Sequence, residues 1–178
     1  MKPDSNLPES VCRGITSLSG LLGLWTMSFL ELKLPPLVVG FVCSLGMWFC
    51  PPVLMLPLSS IARWTGFGVL LFLGFALLVT GARSFLKAQT SLSPTKPSTA
   101  SSLVVTGIYG YTRNPMYLGG LVMLSAWAVL LAKLSACFFL PLFVVYLTCF
   151  QIIPEEKALR ARFGTAFDDY TRRVRRWA

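Results

Sequence analysis

The chain has 178 residues, of which 54% are hydrophobic and 13% are charged, and its formal net charge is +9. A soluble domain carries about 25% charged residues, so this composition argues against an ordinary soluble protein and favours a membrane protein. The chain has no histidine, and its five cysteines form no Cys-x-x-Cys pair. We therefore expect no metal site, and we expect the cysteines to be small apolar helix residues.

Four stretches without a charged residue predict four membrane-spanning helices. These stretches are 34–62, 64–82, 114–132 and 134–154. A spanning helix needs about 20 apolar residues, and lipid requires the backbone to satisfy its own hydrogen bonds. The expected fold is therefore all-α, a polytopic transmembrane helical bundle. A shorter interval at 14–30 could be a marginal fifth span. We therefore divide the chain into residues 1–30, an N-terminal extension or marginal hydrophobic helix, and a membrane domain at 31–178.

Turn-forming residues set the expected limits of the helices. The first helix is expected to end near the Pro51-Pro52 pair, and the second to run over 64–85. Residues 87–106 are rich in Ser, Thr and Pro and are predicted to form a loop. Asn114 as N-cap and Pro115 in the first turn predict the start of the third helix, which continues to about 132. A tight turn then leads into the fourth helix, which is expected to form an antiparallel hairpin with the third and to end at Ile153-Pro154.

The C-terminal tail has apolar residues at helical spacing. They are Leu159, Phe163, Phe167, Tyr170, Val174 and Trp177. Arginines occupy most of the other positions, so the tail is predicted to be an amphipathic helix lying on the cytoplasmic surface of the membrane, divided by Gly164 into two short helices.

The distribution of basic residues predicts the orientation in the membrane. With four spans, 14 of the 16 lysines and arginines lie on the face that carries both termini and the 83–115 loop. Arg63 and Lys133 lie on the other face. Basic residues are enriched in cytoplasmic segments, so the 83–115 loop and the C-terminus are expected to be cytoplasmic. The basic residues are expected to contact anionic membrane lipids rather than nucleic acid.

Carboxylates are absent from 32–154, and the first two after this gap are the adjacent Glu155 and Glu156. Their position at the predicted end of the fourth helix is unfavourable unless each side chain meets a partner. They are either solvated at the interface and paired with Arg113 or Arg160, or they receive the ammonium group or ribose hydroxyls of a ligand.

A second candidate segment, 106–117, reads TGIYGYTRNPMY. Gly107 and Gly110 permit close approach of a ligand to the backbone, and the start of the third helix offers free N–H groups to an anion. The tyrosines at 109, 111 and 117 either line such a site or form an ordinary interfacial aromatic belt.

Both segments resemble the signatures of the isoprenylcysteine carboxyl methyltransferase and phospholipid methyltransferase superfamily. The first resemblance covers 103–119, and the second covers 155–170, where Glu155-Glu156 is followed by Phe163-Gly164 and Tyr170. The resemblance implies a membrane methyltransferase domain at 31–178 with S-adenosylmethionine as cofactor. It implies these cofactor contacts: Gly107, Tyr109, Asn114, Tyr117, Glu155 and Glu156. Arg113 and Arg160 are expected to contact the substrate, and no catalytic residue is assigned.

The methyl acceptor is left open as a lipid or small membrane-partitioning molecule with a carboxylate, thiol or amine. Eukaryotic carboxyl methyltransferases of this superfamily have Arg-His-Pro where this chain has Arg113-Asn114-Pro115. Two alternatives remain: an NADPH-dependent membrane reductase of the sterol-reductase type, and a non-catalytic membrane scaffold. The compact chain favours the bacterial inner membrane as its location.

Overall fold

The computed structural model describes residues 34–88 and 102–177, together with Cys12 and Gly14. Within these ranges the regular structure is helical, as predicted, and two isolated β-bridges pair Met55 with Lys133 and Thr112 with Arg175. Within 34–88 and 102–177 the α-helices are α1 Pro36–Phe49, α2 Ser60–Lys87, α3 Pro115–Leu131, α4 Phe139–Leu147, α5 Ile153–Phe163 and α6 Thr165–Arg173. The predicted N-terminal extension, 1–30, lies outside the described residues except for Cys12 and Gly14.

Among the residues that the structure describes, two helical segments are long and apolar enough to cross a membrane. They are α2, with 28 residues, and the continuous helical segment Leu134–Phe163, with 30. Helices α1 and α3 are apolar but shorter, with 14 and 17 residues. At 1.5 Å per residue, α1 measures about 21 Å, which is less than the roughly 30 Å of hydrocarbon in a bilayer. The bundle is therefore all-helical with two candidate spans, and crossings by α1 and α3 remain predictions.

Helices α2 and α3 pack closely because glycines face each other across their interface. A Cβ atom added to Gly119 would lie 2.7 Å from the carbonyl oxygen of Gly74, and one added to Gly74 would lie 2.8 Å from that of Gly119. Small residues permit this close approach of backbones between helices in lipid. The glycine contact fixes the start of α3 beside the second half of α2.

At the end of the bundle remote from the two glutamates, polar side chains join α3 to α1 and α2. Arg63 donates hydrogen bonds to the carbonyl oxygen of Leu130. Lys133 donates to the carbonyl oxygens of Trp48 at 2.9 Å and Cys50 at 3.2 Å. Ala132 ends α3 in the left-handed conformation with φ 51°. A 3-10 turn, Leu134–Phe138, then leads into α4, so the predicted short connection after α3 is confirmed.

The fourth predicted helix does not end at Pro154. A π-helical turn, Thr148–Ile152, joins α4 to α5, and Pro154 lies in the first turn of α5. A proline lacks the N–H that an α-helix uses and disturbs the preceding turn, so a wider turn at this point lets the helix continue. Glu155 and Glu156 consequently lie in the first turn of α5, inside a helix rather than beyond one.

The amphipathic tail forms two helices separated at Gly164, as predicted, but the second ends at Arg173, before Val174 and Trp177, and the apolar face is covered by protein. Phe167, Tyr170 and Val174 are buried and pack against Leu103 and Val105. The prediction that this face lies on lipid is therefore wrong for these residues. The apolar Leu103–Val105 segment, which the sequence analysis treated as loop, provides the surface that buries them.

Cys12 and Cys149 form a disulfide bond across 137 residues of sequence. The prediction that all cysteines are small apolar helix residues is wrong for this pair, whereas Cys43, Cys50 and Cys137 are free. Sequence spacing carries no signal for a pair this far apart.

Candidate functional site

Tyr117 and Glu155 form the centre of the candidate site. Tyr117 lies in the first turn of α3, and its hydroxyl donates a 2.6 Å hydrogen bond to Oε1 of Glu155 in the first turn of α5. Within the described ranges, the Glu155 carboxylate accepts no other hydrogen bond and forms no ion pair with a lysine or arginine. A partly buried carboxylate without a counter-cation is suited to a cationic or hydroxyl-bearing ligand.

Glu156, the next residue, is held between two arginines. Its Oε1 lies 3.1 Å from Nη1 of Arg113, and Arg176 donates from Nε at 3.1 Å and from Nη2 at 2.6 Å. The three side chains are 12–14% exposed. Two arginines around one carboxylate leave one positive charge in excess among these three residues. Glu156 thus has the partners that Glu155 lacks.

Residues Val174–Trp177 cross the loop that precedes α3, and we refer to them as the C-terminal strap. The backbone N–H of Arg113 donates to the carbonyl oxygen of Arg175 at 3.0 Å. The side-chain amide of Asn114 donates to the carbonyl oxygen of Arg176 at 2.8 Å. The Trp177 indole donates to the hydroxyl of Thr148 at 3.2 Å. The strap therefore contacts both the start of α3 and the turn that leads into α5.

Asn114 does not cap α3 with its side chain, although it occupies the N-cap position and Pro115 begins the helix as predicted. Its amide group is directed to the strap because the Arg176 carbonyl lies within hydrogen-bond distance. The side-chain oxygen of Asn114 accepts no hydrogen bond from the described part of the chain. That oxygen is an acceptor that a ligand could use.

Tyr109 connects the Gly107–Gly110 turn to the rest of the site. Its ring packs edge-on against Phe85 at 5.3 Å, and its carbonyl oxygen accepts a 2.8 Å hydrogen bond from the Tyr170 hydroxyl. Burial raises the pKa of both phenols above its usual range, so both remain protonated at neutral pH. Gly107 has φ +65°, a conformation that favours glycine, and is exposed at the start of the turn.

The structure brings most of the predicted site residues together, in two groups. Tyr109 and Tyr117 lie near Glu155, close enough for electrostatic interaction. Arg113, Asn114 and Glu156 meet at the strap. Arg160 lies at the margin of the second group: it is close enough to Arg113 for electrostatic interaction, but its ion-pair partner is Asp168 at 2.7 Å, and its side chain is 55% exposed.

Arg176, Trp177 and Thr148 were missed by the sequence analysis. The sequence pattern predicts lipid contacts for all the arginines of the tail alike, so it does not distinguish Arg176 from its neighbours. One signal in the sequence indicates a further cation at the site. A carboxylate such as Glu156 at this depth requires positively charged partners, and Arg113 provides only one of the two that it has. Arg113 itself retains a buried Nε atom without a hydrogen-bond partner in the described part of the chain.

The apolar helices and the family comparison define the class of protein. Helices of this length and composition have transmembrane character. The chain belongs to the phospholipid methyltransferase family, which matches residues 63–166. The resemblance noted from the two motifs is thereby confirmed, and it identifies a membrane methyltransferase family. The match includes Tyr117, Glu155 and Glu156 and ends before the strap.

Two relatives show how far the similarity extends. The Delta(14)-sterol reductase LBR of Gallus gallus is 34% identical over 84 residues, which are 43% of this chain and 12% of that protein. An uncharacterized protein of Haemophilus influenzae is 37% identical over 62 residues, which are 35% of this chain and 98% of that protein. The chain thus spans a small part of the reductase. No solved structure matches the chain.

Proposed function

We propose that the protein transfers the methyl group of S-adenosylmethionine to a lipid or small membrane-partitioning acceptor at the cytosolic face of the membrane. The observation that carries this proposal is the Tyr117–Glu155 pair, a partly buried carboxylate without a cationic partner in the described residues. The pair lies inside the region that matches the phospholipid methyltransferase family.

The residues of the site fit the polar groups of S-adenosylmethionine. Glu155 would accept hydrogen bonds from an ammonium group or from ribose hydroxyls, with Tyr117 holding the carboxylate in place. The unpartnered Nε of Arg113 and the free N–H groups at the start of α3 suit a carboxylate. The side-chain oxygen of Asn114, the Gly107 backbone and Tyr109 complete the proposed cofactor contacts, and Arg113 is also the proposed substrate contact.

The chemistry requires little acid–base catalysis from the protein. S-adenosylmethionine supplies an electrophilic methyl group on a sulfonium, so the leaving group departs as a neutral thioether. The residues of this chain would hold donor and acceptor in line and exclude water, which are recognised sources of rate acceleration. The neutral phenols of Tyr109 and Tyr170 are suited to hydrogen bonding rather than to proton abstraction. We therefore assign no catalytic base.

The proposed topology has four spans with the 83–115 loop and the C-terminus in the cytoplasm of a bacterial cell. It is supported by the separation of charges along the bundle. Arg63 and Lys133 bind backbone carbonyls at one end, and Arg113 and Arg176 meet Glu156 at the site. This separation agrees with the enrichment of basic residues in cytoplasmic segments.

A reductase is the second candidate function, because the matched relative from Gallus gallus is named a sterol reductase. The similarity covers 12% of that protein, whereas the methyltransferase family covers residues 63–166 of this chain. We therefore prefer methyl transfer and include NADPH as a competing ligand in the test.

Binding of S-adenosylmethionine to the detergent-purified protein tests the proposal. We expect the wild type to bind, and we expect Glu155→Gln to weaken binding by at least about tenfold, because a charge-assisted hydrogen bond contributes about 1.5–3 kcal/mol. The glutamine oxygen can still accept the Tyr117 hydrogen bond, so the fold should be retained. Asp169→Asn, an exposed carboxylate paired with Arg172, is the matched control and should bind like the wild type.

Absence of binding by a folded wild type would contradict the proposal. Binding of NADPH instead would support the reductase, and binding of neither ligand would support the scaffold.

A further inference from the structure

We propose that Glu156 and Arg176 are positioning residues, which act on the cofactor site by holding the C-terminal strap in place. In this view Glu155 contacts the ligand and Glu156 does not. The inference rests on the proposed function, since it concerns how the same site is assembled. Arg176 and the rest of the strap lie beyond residue 166, where the family match ends.

The first argument is the saturation of Glu156. Both of its oxygens are engaged: Oε1 by Arg113 and Arg176, and Oε2 by Arg176 at 2.6 Å. Arginine binds a carboxylate through two parallel hydrogen bonds more strongly than a single contact would allow. A ligand that used Glu156 would have to displace this bidentate pair from a site where the side chains are 12–14% exposed.

The second argument is the position of the strap between two separate parts of the site. Tyr117 and Glu155 are 38 residues apart in sequence and belong to different helices. The strap binds the loop before α3 through Thr112, whose backbone bridges to Arg175, and through Asn114. It binds the turn before α5 through Trp177 and Thr148. Contacts to both helix starts restrain their relative position, and with it the Tyr117–Glu155 distance.

The third argument is the orientation of Asn114. Its amide nitrogen donates to the strap at the Arg176 carbonyl oxygen, which directs its side-chain oxygen away from that contact. Loss of the strap would free the amide to rotate. A side chain held in one orientation binds a ligand without a further loss of conformational entropy, so release of the strap should weaken binding.

Affinity for S-adenosylmethionine and the rate of trypsin cleavage at the strap together test this inference. Glu156→Gln and Arg176→Gln are each expected to weaken binding by at least about tenfold, because Glu156→Gln leaves two partly buried arginines without their carboxylate and Arg176→Gln removes the bidentate partner of Glu156. The double variant should bind no more weakly than Glu156→Gln alone, since both substitutions remove the Glu156–Arg176 contact. Combination with Glu155→Gln should instead multiply the losses.

Trypsin reports on the strap without any ligand. It cleaves after arginine, and the bond after Arg175 lies in the strap in every variant. Intact mass analysis should show faster cleavage there in Glu156→Gln and Arg176→Gln than in the wild type. Arg173→Gln is the control, because Arg173 is exposed and donates to the Asp169 carbonyl oxygen rather than to Glu156. It should keep wild-type affinity and wild-type cleavage.

Three results would overturn the inference. Weaker binding by Glu156→Gln with normal binding by Arg176→Gln would make Glu156 a ligand contact. Faster cleavage with unchanged affinity would make the strap a purely structural element. Failure of the wild type to bind S-adenosylmethionine would contradict both the proposed function and this inference. The wild-type measurement alone identifies this outcome, because the other two outcomes require a wild type that binds. If Arg176→Gln does not fold, Arg176→Lys replaces it, with an affinity expected between those of the wild type and Glu156→Gln.

Discussion

Glu155 and Glu156 are neighbours in the sequence, but they contact different parts of the molecule. Consecutive residues of an α-helix do not face each other, so one carboxylate meets Tyr117 and the other meets Arg113 and Arg176. The family motif predicts the same role, contact with the cofactor, for both glutamates. It does not distinguish their partners, because Arg176 lies 20 residues beyond Glu156 and outside the matched region.

The hydroxyl of Tyr117 is the only hydrogen-bond donor to Glu155 in the described part of the chain. We expect Tyr117→Phe to lower the free energy of unfolding by about 0.5–1.5 kcal/mol, the usual net contribution of an intramolecular hydrogen bond. Thermal unfolding in detergent, followed by circular dichroism, measures this change. Tyr111→Phe is the matched control, because the Tyr111 side chain is 80% exposed. Equal stability of the two variants would contradict a role for the Tyr117 hydroxyl.

At the scale of the helices, charge-free stretches predicted the order and type of the elements well. They were less informative about the ends: α1 ends at Phe49 rather than near Pro51, and α2 begins at Ser60 rather than at 64. The Ser59 side chain accepts a hydrogen bond from the Ala62 N–H and extends α2 before its apolar part. Burial of Phe167 by Leu103 could not be predicted, since periodicity identifies an apolar face but not what covers it.

The contact between α2 and α3 depends on the absence of a side chain at Gly119. We expect Gly119→Ala to lower the free energy of unfolding by about 1–3 kcal/mol, the usual range for overpacking. The added Cβ would lie 2.7 Å from a backbone oxygen, which cannot move independently of α2. Thermal unfolding in detergent measures the effect.

Gly120→Ala provides the control, because its Cβ would meet only the Phe143 ring at 3.6 Å, an ordinary contact. It should be neutral or slightly stabilising, since alanine favours a helix over glycine by about 1 kcal/mol. A loss of stability in Gly120→Ala as large as in Gly119→Ala would contradict a specific requirement for glycine at position 119 in the contact between α2 and α3.

At the scale of the whole molecule, the two sequence motifs identified most of the candidate site but not the segment that joins its parts. Residues of the motifs converge because α3 begins and α5 begins at the same end of the bundle. Arg176 and Trp177 join them from the last residues of the described chain. Val174 and Trp177 continue the helical apolar pattern of the tail, but the strap begins with an extended Val174 and its contacts are remote in sequence, so the pattern gives no indication of where it binds.

The predicted orientation can be tested with reporters fused after Ala178 and expressed in bacteria. We expect a C-terminal green fluorescent protein to be fluorescent and a C-terminal alkaline phosphatase to be inactive, because the tail is proposed to be cytoplasmic. Fusions placed after Pro57, between α1 and α2, should give the opposite pair of results. An active phosphatase at the C-terminus would contradict the proposed orientation.

Transfer of a labelled methyl group tests the central claim most directly. Membranes containing the protein would be supplied with methyl-labelled S-adenosylmethionine, and label would be measured in the lipid extract and in small organic-soluble products. We expect the wild type and Asp169→Asn to incorporate label, and we expect Glu155→Gln to incorporate at least about tenfold less. Equal incorporation by membranes with wild-type protein, with Glu155→Gln and with no added protein would contradict a methyltransferase that uses this site.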